Sequence, residues 1–285
     1  MQTKKTFKSK GQTVEVYAIE TGKVSMKTRA FSSRRKTMLM KLIDIVSDRK
    51  FTPDLPIYAW LIRHPEGTFL IDTGEIAAVT NPDYFNKAGW FRKWYSSTQV
   101  HLKVKPEEEI NIRLKNLNIS SDQIQSIVLT HTHNDHIDGV KYFKGARILV
   151  NKEEWKHADL PKYYPEWLEP ELLEINQPFD EFFDQAYQLT KNADLFLIPT
   201  PGHTKGHCSV LLKTDKHTII FAGDIVYDQE QLRTNTFTAV DATATGAKKS
   251  YARLKNFMKN HPTIFLPSHD TDAGRRLLNE EVFTA

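Results

Sequence analysis

Residues 131–136, His-Thr-His-Asn-Asp-His, place three histidines and an aspartate within six positions. The segment directly follows the apolar run 127–130. A strand that ends in a ligand-rich loop suits a metal enzyme, because the sheet fixes the loop while the loop stays open to substrate. His131 and His133 can point the same way in an extended segment, whereas Asp135 and His136 can turn toward a second centre. Imidazole and carboxylate suit zinc and its neighbours, so the segment predicts a metal site rather than a polar surface loop.

Three more residues of ligand type follow apolar strand-like runs elsewhere in the chain. His203 lies in Pro-Gly-His-Thr-Lys-Gly-His, Asp224 ends Phe-Ala-Gly-Asp, and His269 lies in Pro-Ser-His-Asp. If the strands belong to neighbouring sheets, these loops converge at one edge. Together with residues 131–136 they supply seven ligands, which is enough for two metal ions with open coordination positions.

The elements that would position these residues follow from the apolar pattern. Strands are predicted at 13–19, 54–63, 68–71, 124–130, 146–150, 195–198, 209–212, 218–222 and 264–266, and helices from 106, from 152 and over 247–259. Two rounds of strands followed by helix predict two similar α/β halves packed as a sandwich in a single domain, 1–285. The stretches 23–50, 81–105 and 160–185 interrupt this pattern and are predicted to be insertions that cover the substrate.

Composition restricts the function classes. The chain has 285 residues, a net charge of +4 and only short basic stretches, Lys4-Lys5 and 34–36, so we expect no nucleic-acid partner. No run reaches the roughly 18 apolar residues of a membrane helix, and residues 1–12 lack the apolar core of a signal peptide. We therefore expect a cytoplasmic protein without a membrane partner. Its one cysteine, Cys208, is expected to be a buried structural thiol.

The order of the ligand motifs resembles the metallo-β-lactamase superfamily, with its His-x-His-x-Asp-His signature. The segment Asp72-Thr73-Gly74 is similar to the early motif of that family. The resemblance implies an αββα fold, in which two mixed β-sheets are flanked by helices. It also implies a centre of two divalent metal ions, for which zinc is the first expectation and iron, manganese and cobalt are the alternatives. One ion would be held by His131, His133 and His203, the other by Asp135, His136 and His269, with Asp224 bridging them. Asp72 is expected to orient a ligand loop by hydrogen bonds, whereas His207 is expected mainly to pack.

Tyr227, three residues after Asp224, resembles a tyrosine of the N-acyl-homoserine lactonases that reaches the substrate carbonyl. Packing of this tyrosine against the core is the alternative. The resemblance also includes the segment 106–122 and the ending Ser268-His269-Asp270. One departure is Asp138, where relatives usually carry a small residue, and we expect it to change the contacts around the ligand loop.

The resemblance implies a metal-dependent hydrolase that opens the lactone ring of N-acyl-homoserine lactones. A metal-bridging hydroxide would attack the carbonyl, Tyr227 would stabilise the oxyanion, and Asp135 would pass a proton to the leaving alkoxide. The partner would be a small molecule with an acyl chain, and a homodimer is compatible with this prediction. A glyoxalase II-like thioesterase and another dinuclear ester or phosphodiester hydrolase are the alternatives. A β-lactamase is disfavoured because the motif supplies His136 to the second site, and a silent binding scaffold is disfavoured because all seven ligands are present.

Overall fold

The computed structural model describes residues 2–33, 37–81 and 83–284, so the basic stretch 34–36 lies outside the described residues. The first part of the chain forms a mixed sheet. In chain order its strands are β1 (Gln2–Ser9), β2 (Gln12–Met26), β3 (Leu55–His64), β4 (Gly67–Ile71), β5 (Val100–Lys103), β6 (Ser126–Leu129), β7 (Arg147–Asn151) and β8 (Glu171–Leu173). They pair in the order β1-β2-β3-β4-β6-β7-β8, with β5 beside the end of β2. The strands from β1 to β4 are antiparallel, and β4, β6, β7 and β8 are parallel.

The second part forms another mixed sheet. Its strands are β9 (Gln177–Pro178), β10 (Gln185–Gln188), β11 (Leu195–Pro199), β12 (Cys208–Lys213), β13 (Thr218–Gly223) and β14 (Thr263–Pro267). They pair in the order β14-β13-β12-β11-β10-β9, and only β13 and β14 are parallel among these described strands.

The helices in the described part of the chain are mostly short. They are α1 (Thr28–Phe31), α2 (Met38–Ser47), α3 (Trp90–Thr98), α4 (Ile110–Asn116), α5 (Asn134–Ile137), α6 (Lys152–Trp155), α7 (Gln229–Thr234), α8 (Ala244–Asn260) and α9 (Ala273–Asn279). Among the described helices, none combines the length and the apolar character needed to cross a membrane.

The side chains of the central strands point alternately to the two faces of each sheet and are buried on both. The molecule therefore has four layers, two sheets in the middle and helices on the two outer sides. Trp60 of β3 and Phe221 of β13 face the space between the two sheets, where their rings lie 5.5 Å apart. Leu61, on the opposite face of β3, packs in the cluster that contains Leu114 of α4. On the other side of the molecule, Ile220 of β13 packs in the cluster that includes α8. Successive residues of a strand point to opposite faces, so these strands are buried on both sides and give the expected αββα order.

Some elements differ from the sequence prediction. The strand predicted at 13–19 continues to Met26, and β1 was not predicted at all. Lysine and threonine make up most of β1, and only Phe7 and Ser9 of this strand are buried, which is the polar pattern of an edge strand. The helix predicted from Pro106 begins at Ile110, because Pro106–Glu108 form a separate 3₁₀ turn. Cys208 is a fully buried free thiol, and burial raises its pKa.

Candidate metal centre

The loop after β6 is fixed by Asp72, which follows β4. Oδ1 of Asp72 accepts the backbone N–H of Thr130 at 2.8 Å, and Oδ2 accepts its hydroxyl at 2.8 Å. Oδ2 also lies 2.7 Å from Nδ1 of His136. Asp72 has a φ of 58°, a left-handed conformation that aspartate tolerates better than most residues. Since a carboxylate occupies Nδ1 of His136, its Nε2 is left to face the centre, as in other histidine ligands.

A first group of ligand atoms comes from three histidines, of which His131 and His203 are buried and His133 is half-buried. Nδ1 of His133 lies 3.1 Å from Nε2 of His131 and 2.8 Å from Nε2 of His203. His131 and His133 follow β6, whereas His203 lies in the loop between β11 and β12. Burial lowers the pKa of His133 to about 4 and of His203 to about 3, and it lowers that of His131 well below its usual value. All three imidazoles are therefore neutral at pH 7, the form that binds a metal.

A second group lies beside the first. Oδ2 of Asp135 is 3.4 Å from Nε2 of His269, and Oδ1 is 3.9 Å from Nε2 of His136. His269 follows β14, and its Nδ1 lies 2.8 Å from the carbonyl oxygen of Pro56. That contact fixes the ring and directs Nε2 toward the group. The ligand atoms of these three residues lie within 4.8 Å of one another.

Asp224, at the end of β13, contacts both groups. Its Oδ1 is 3.2 Å from Nε2 of His136, and its Oδ2 is 3.1 Å from Nε2 of His269 and 3.7 Å from Nε2 of His203. The structure thus brings together all seven residues that the sequence analysis selected as ligands.

Asp224 is itself held in place by its neighbours. Its backbone N–H donates to Nε2 of His207 at 3.0 Å. His207 was expected mainly to pack, but this hydrogen bond also helps to hold Asp224 in position. Gly223 has a φ of 58°, and a Cβ there would lie 2.7 Å from the same nitrogen. Only glycine therefore lets β13 turn at this point without displacing His207.

The donor set fits two divalent cations. Among the described residues, Nε2 of His136 and Oδ1 of Asp224 are buried without a hydrogen-bond partner. Unpaired buried polar atoms are costly, and two such atoms facing one another at 3.2 Å need a cation or proton between them. Imidazole nitrogens and carboxylate oxygens in groups of three are the donors that zinc and related metals take.

Glu154, a residue the sequence analysis missed, joins the two ligand loops. Its Oε1 accepts the backbone N–H and the hydroxyl of Thr132, both at 3.0 Å. Its Oε2 accepts the hydroxyl of Thr204 and the N–H of Gly206. The side chain is buried, which raises its pKa. Its partners lie 22 to 52 positions away along the chain, so no local motif signalled this role.

Both groups open into a cavity of about 430 Å³. The cavity is lined by His133, Asp135, His203, Asp224, His269, Tyr227, Asn134, Glu75, Arg92, Ser96 and apolar residues, namely Val24, Met26, Ala30, Leu42, Ile45, Phe85, Phe91, Tyr95, Val100, Leu102, Ala239 and Val240. The apolar wall comes from residues 24–45, 85–102 and 239–240. No residue from 160–185 is among these described lining residues; Tyr163 instead packs against Tyr84.

Tyr227 lies at the floor of this cavity. Its ring centroid is 5.8 Å from that of His203 and 5.4 Å from that of His269. The tyrosine is buried, and burial together with the Asp224 charge raises the pKa of its phenol well above the usual value. Its hydroxyl has no hydrogen-bond partner among the residues that the structure describes. The phenol is therefore protonated at neutral pH and available to donate.

Comparisons with known proteins agree with this geometry. The N-acyl homoserine lactonase of a Bacillus species is 29% identical over 226 residues, which cover 78% of this chain and 84% of that protein. The N-acyl homoserine lactonase AttM of Rhizobium radiobacter is 24% identical over 233 residues, 77% of this chain and 84% of that protein. A solved N-acyl homoserine lactone hydrolase, with the product N-hexanoyl-L-homoserine bound at its catalytic metal centre, superposes with a TM-score of 0.73 at 22% identity, over 95% of this chain and 96% of that chain. The model of the metallo-beta-lactamase superfamily matches residues 52–269, a range that contains all seven ligand-type residues, and the chain belongs to that superfamily.

Proposed function

We propose that this chain hydrolyses the ring ester of N-acyl-homoserine lactones. The observation that carries the proposal is a cavity with an apolar wall that ends on both ligand groups, with Tyr227 between them. An uncharged acylated lactone matches this surface, because its acyl chain can cover the wall while its ring reaches the polar floor. The lactonase relatives with 24% to 29% identity support the same substrate class.

We propose that two divalent metal ions take part in this reaction, and that they are zinc, because the donors are imidazole nitrogens and carboxylate oxygens. His131, His133 and His203 would hold one ion, Asp135, His136 and His269 the other, and Asp224 both. When bound, such ions acidify water and polarise a carbonyl oxygen. Elemental analysis of Asp224→Asn tests the bridge: the variant is expected to hold fewer than two ions per chain, and full occupancy would argue against bridging.

The chain's own residues handle charge and protons around the ester. The phenol of Tyr227 would donate a hydrogen bond to the ester carbonyl oxygen as negative charge develops there. Asp135 is the more accessible of the two carboxylates in the centre, with 19% of its side chain exposed against 4% for Asp224. Asp135 lines the cavity, so we assign to its carboxylate the uptake of a proton from the attacking water and its delivery to the leaving ring oxygen.

The cavity disfavours the thioesterase alternative. A glutathione thioester carries carboxylates that need basic partners. Among the described lining residues, Arg92 is the only lysine or arginine, and its guanidinium already donates to Asp159 at 2.7 Å. An apolar acyl chain needs no basic partner in the cavity.

The proposal extends to the organisation of the chain. We propose that 1–285 form a single domain in which 23–50, 81–105 and 160–185 cover the substrate. The lining residues from the first two stretches support this, and the contact of Tyr163 with Tyr84 supports the third indirectly. We also propose that the protein is cytoplasmic, a compartment in which the thiol of Cys208 would stay reduced.

A pH-indicator assay of the metal-loaded enzyme tests the reaction. It should compare N-hexanoyl-homoserine lactone, a simple γ-lactone and S-lactoylglutathione at equal concentrations. We expect kcat/KM for the acylated lactone to exceed that for the thioester by about a hundredfold or more, given the unpaired charges that the thioester would bring into the cavity. Enzyme treated with a chelator is the control. Thioester turnover far above lactone turnover would overturn the assignment.

A further inference from the structure

A second polar cluster lies in the cavity wall beside the metal centre. It consists of Asn134, Asp138, Tyr84 and Glu75, of which Asn134 and Glu75 line the cavity. The Glu75 carboxyl is hydrogen-bonded to Asp138, and burial together with the charge of Asp138 raises its pKa, so Glu75 serves as a donor to Asp138. Nδ2 of Asn134 donates to both carboxylate oxygens of Asp138, at 3.2 and 3.1 Å. The hydroxyl of Tyr84 donates to Oδ2 of Asp138 at 2.6 Å. Asn134 and Asp138 are 7% and 8% exposed, so the cluster is shielded from bulk water.

Asp138 decides which way the amide of Asn134 faces. A carboxylate accepts hydrogen bonds, so the NH₂ group of Asn134 must face it and the Oδ1 atom must face elsewhere. That oxygen is buried and has no hydrogen-bond partner among the residues the structure describes. A buried acceptor left unpaired is costly, and a ligand with a suitable donor would remove that cost.

The surroundings of Asn134 indicate the kind of donor. Much of the cavity wall is apolar, and its one described arginine is paired with Asp159. An uncharged ligand with a single N–H group next to an apolar chain satisfies both the wall and the acceptor. The amide N–H of an N-acylated lactone is such a group, whereas a simple lactone has no donor there.

We propose that Asn134, oriented by Asp138, is a specificity-determining residue that accepts a hydrogen bond from the amide N–H of an N-acylated lactone. The inference rests on the proposed function for the identity of the reacting ring. Asp138 is then a positioning residue, which acts through Asn134 and does not touch the substrate. Lactones that lack the N–H would leave Oδ1 unpaired and would react with a lower kcat/KM.

The test compares two substrates that differ at one atom. The first is N-hexanoyl-homoserine lactone, and the second is the ester analogue in which oxygen replaces the N–H. Ring opening of each is measured on the same preparation by product analysis. The ratio of the two kcat/KM values is independent of the fraction of enzyme that holds metal, so a variant with disturbed ligands remains interpretable.

The wild type is expected to prefer the amide about tenfold, the range of one hydrogen bond with a partner otherwise left unpaired. In Asn134→Ala this preference should fall to near unity. Asp138→Ala should lower it, because the amide of Asn134 can then rotate, and Asp138→Asn should restore most of it, because its carbonyl still accepts a hydrogen bond. Asn279→Ala is the matched control: this exposed asparagine also donates from Nδ2 to a carboxylate, that of Glu281 at 3.0 Å, but does not line the cavity.

Binding measurements separate this inference from the proposed function. Calorimetry with N-hexanoyl-homoserine and its ester counterpart, both already ring-opened, needs no turnover. If the wild type opens neither lactone, the proposed function fails, yet tighter binding of the amide that disappears in Asn134→Ala would still support the subsite. Equal binding of both compounds by the wild type, or an amide preference that persists in Asn134→Ala, would overturn the inference.

Discussion

Tyr227 lines the cavity beside both ligand groups and offers one hydroxyl group there as a hydrogen-bond donor. In Tyr227→Phe the ring can keep its contact with Phe31, whose centroid is 5.6 Å away, so the fold should be retained. Loss of the donor should lower kcat by about tenfold to a hundredfold with KM nearly unchanged, since removal of one oxyanion donor acts on the transition state. Steady-state kinetics with N-hexanoyl-homoserine lactone and a thermal melt check this. Unchanged kcat would mean that the phenol only packs.

The ligand residues were predictable because each lies just after an apolar strand and within a short motif. His203, Asp224 and His269 follow β11, β13 and β14 in this way. Asp72, which follows β4 in the same way, was predicted to orient the ligand loop. The other residues that hold the ligands could not be found by the same reasoning. Glu154 contacts its partners through the tertiary fold, and the hydrogen bond that Asp138 accepts from Tyr84 depends on how a distant 3₁₀ turn, Tyr84–Ala88, packs.

At the scale of elements, Glu154 on α6 fastens the loop after β6 to the loop before β12. In Glu154→Gln an NH₂ group replaces one acceptor, so Thr132 or Gly206 loses its partner. We expect a loss of about 1–3 kcal/mol in the free energy of unfolding and a metal affinity lower by about tenfold to a hundredfold, as for other residues that support ligands. Urea unfolding and metal content after competition with a chelator measure the two effects.

Glu153→Gln is the matched control for that prediction. Glu153 is the adjacent residue on α6, but it is exposed and pairs with Lys156 at 3.0 Å. Exposed pairs of this kind contribute about 1 kcal/mol or less. If Glu153→Gln and Glu154→Gln lost metal equally, the connection between the two loops would not explain the effect.

The loop between α7 and α8 contains a buried carboxyl group, Asp241, that predicts a pH effect. Burial raises the pKa of Asp241 to about 6, although Thr238 donates its N–H and its hydroxyl to it and Lys41 lies nearby. In the unfolded chain the pKa is about 3.9. The folded state therefore loses stability as pH rises from about 4 to about 6, by on the order of 2–3 kcal/mol once the group is ionised.

Asp241→Asn stays neutral, so it should match the wild type near pH 4.5 more closely than at pH 7.5, where it should be the more stable protein. Urea unfolding at both pH values measures the difference. Asp215→Asn, at an exposed position, should follow the pH dependence of the wild type. A difference between Asp241→Asn and wild type that does not change with pH would contradict the shift.

Element boundaries were predictable where apolar residues alternate and less so where polar strands lie at an edge. The hairpin of β3 and β4 was predicted almost to the residue, because its apolar runs flank a short polar turn. β1 was missed because its lysines and threonines resemble a solvent-exposed segment. The sequence near His64 shows no partner for this side chain. In the structure His64 is buried, with its Nε2 at 3.0 Å from Oδ2 of Asp194. This contact exists only because β3 packs beside the segment before β11.

At the scale of the molecule, the two sheets are expected from the repeated strand pattern, and 23–50 and 81–105 were expected to cover the substrate. How these segments meet to form one cavity could not be predicted. Its walls come from segments separated by more than two hundred residues, between Val24 and Val240, and nothing local shows that they meet. Several residues around them expose apolar side chains, among them Ile43 of α2 and Trp90 of α3, which are 56% and 82% exposed. The stretch 81–105, which was predicted to cover the substrate, supplies Phe85, Phe91 and Tyr95 to this wall.

The extent of this wall predicts a preference for longer acyl chains. Each methylene that leaves water contributes about 0.8 kcal/mol, so kcat/KM should rise by about fourfold for each added carbon until the cavity of about 430 Å³ is filled. Leu42→Ser, in the wall, should reduce the slope of this series between butanoyl and decanoyl substrates and leave the butanoyl value nearly unchanged. Ile43→Ser, at the next position of α2 but exposed to solvent and outside the wall, should keep the wild-type slope. If the slope were the same in all three proteins, or flat in the wild type, the acyl chain would lie outside this cavity.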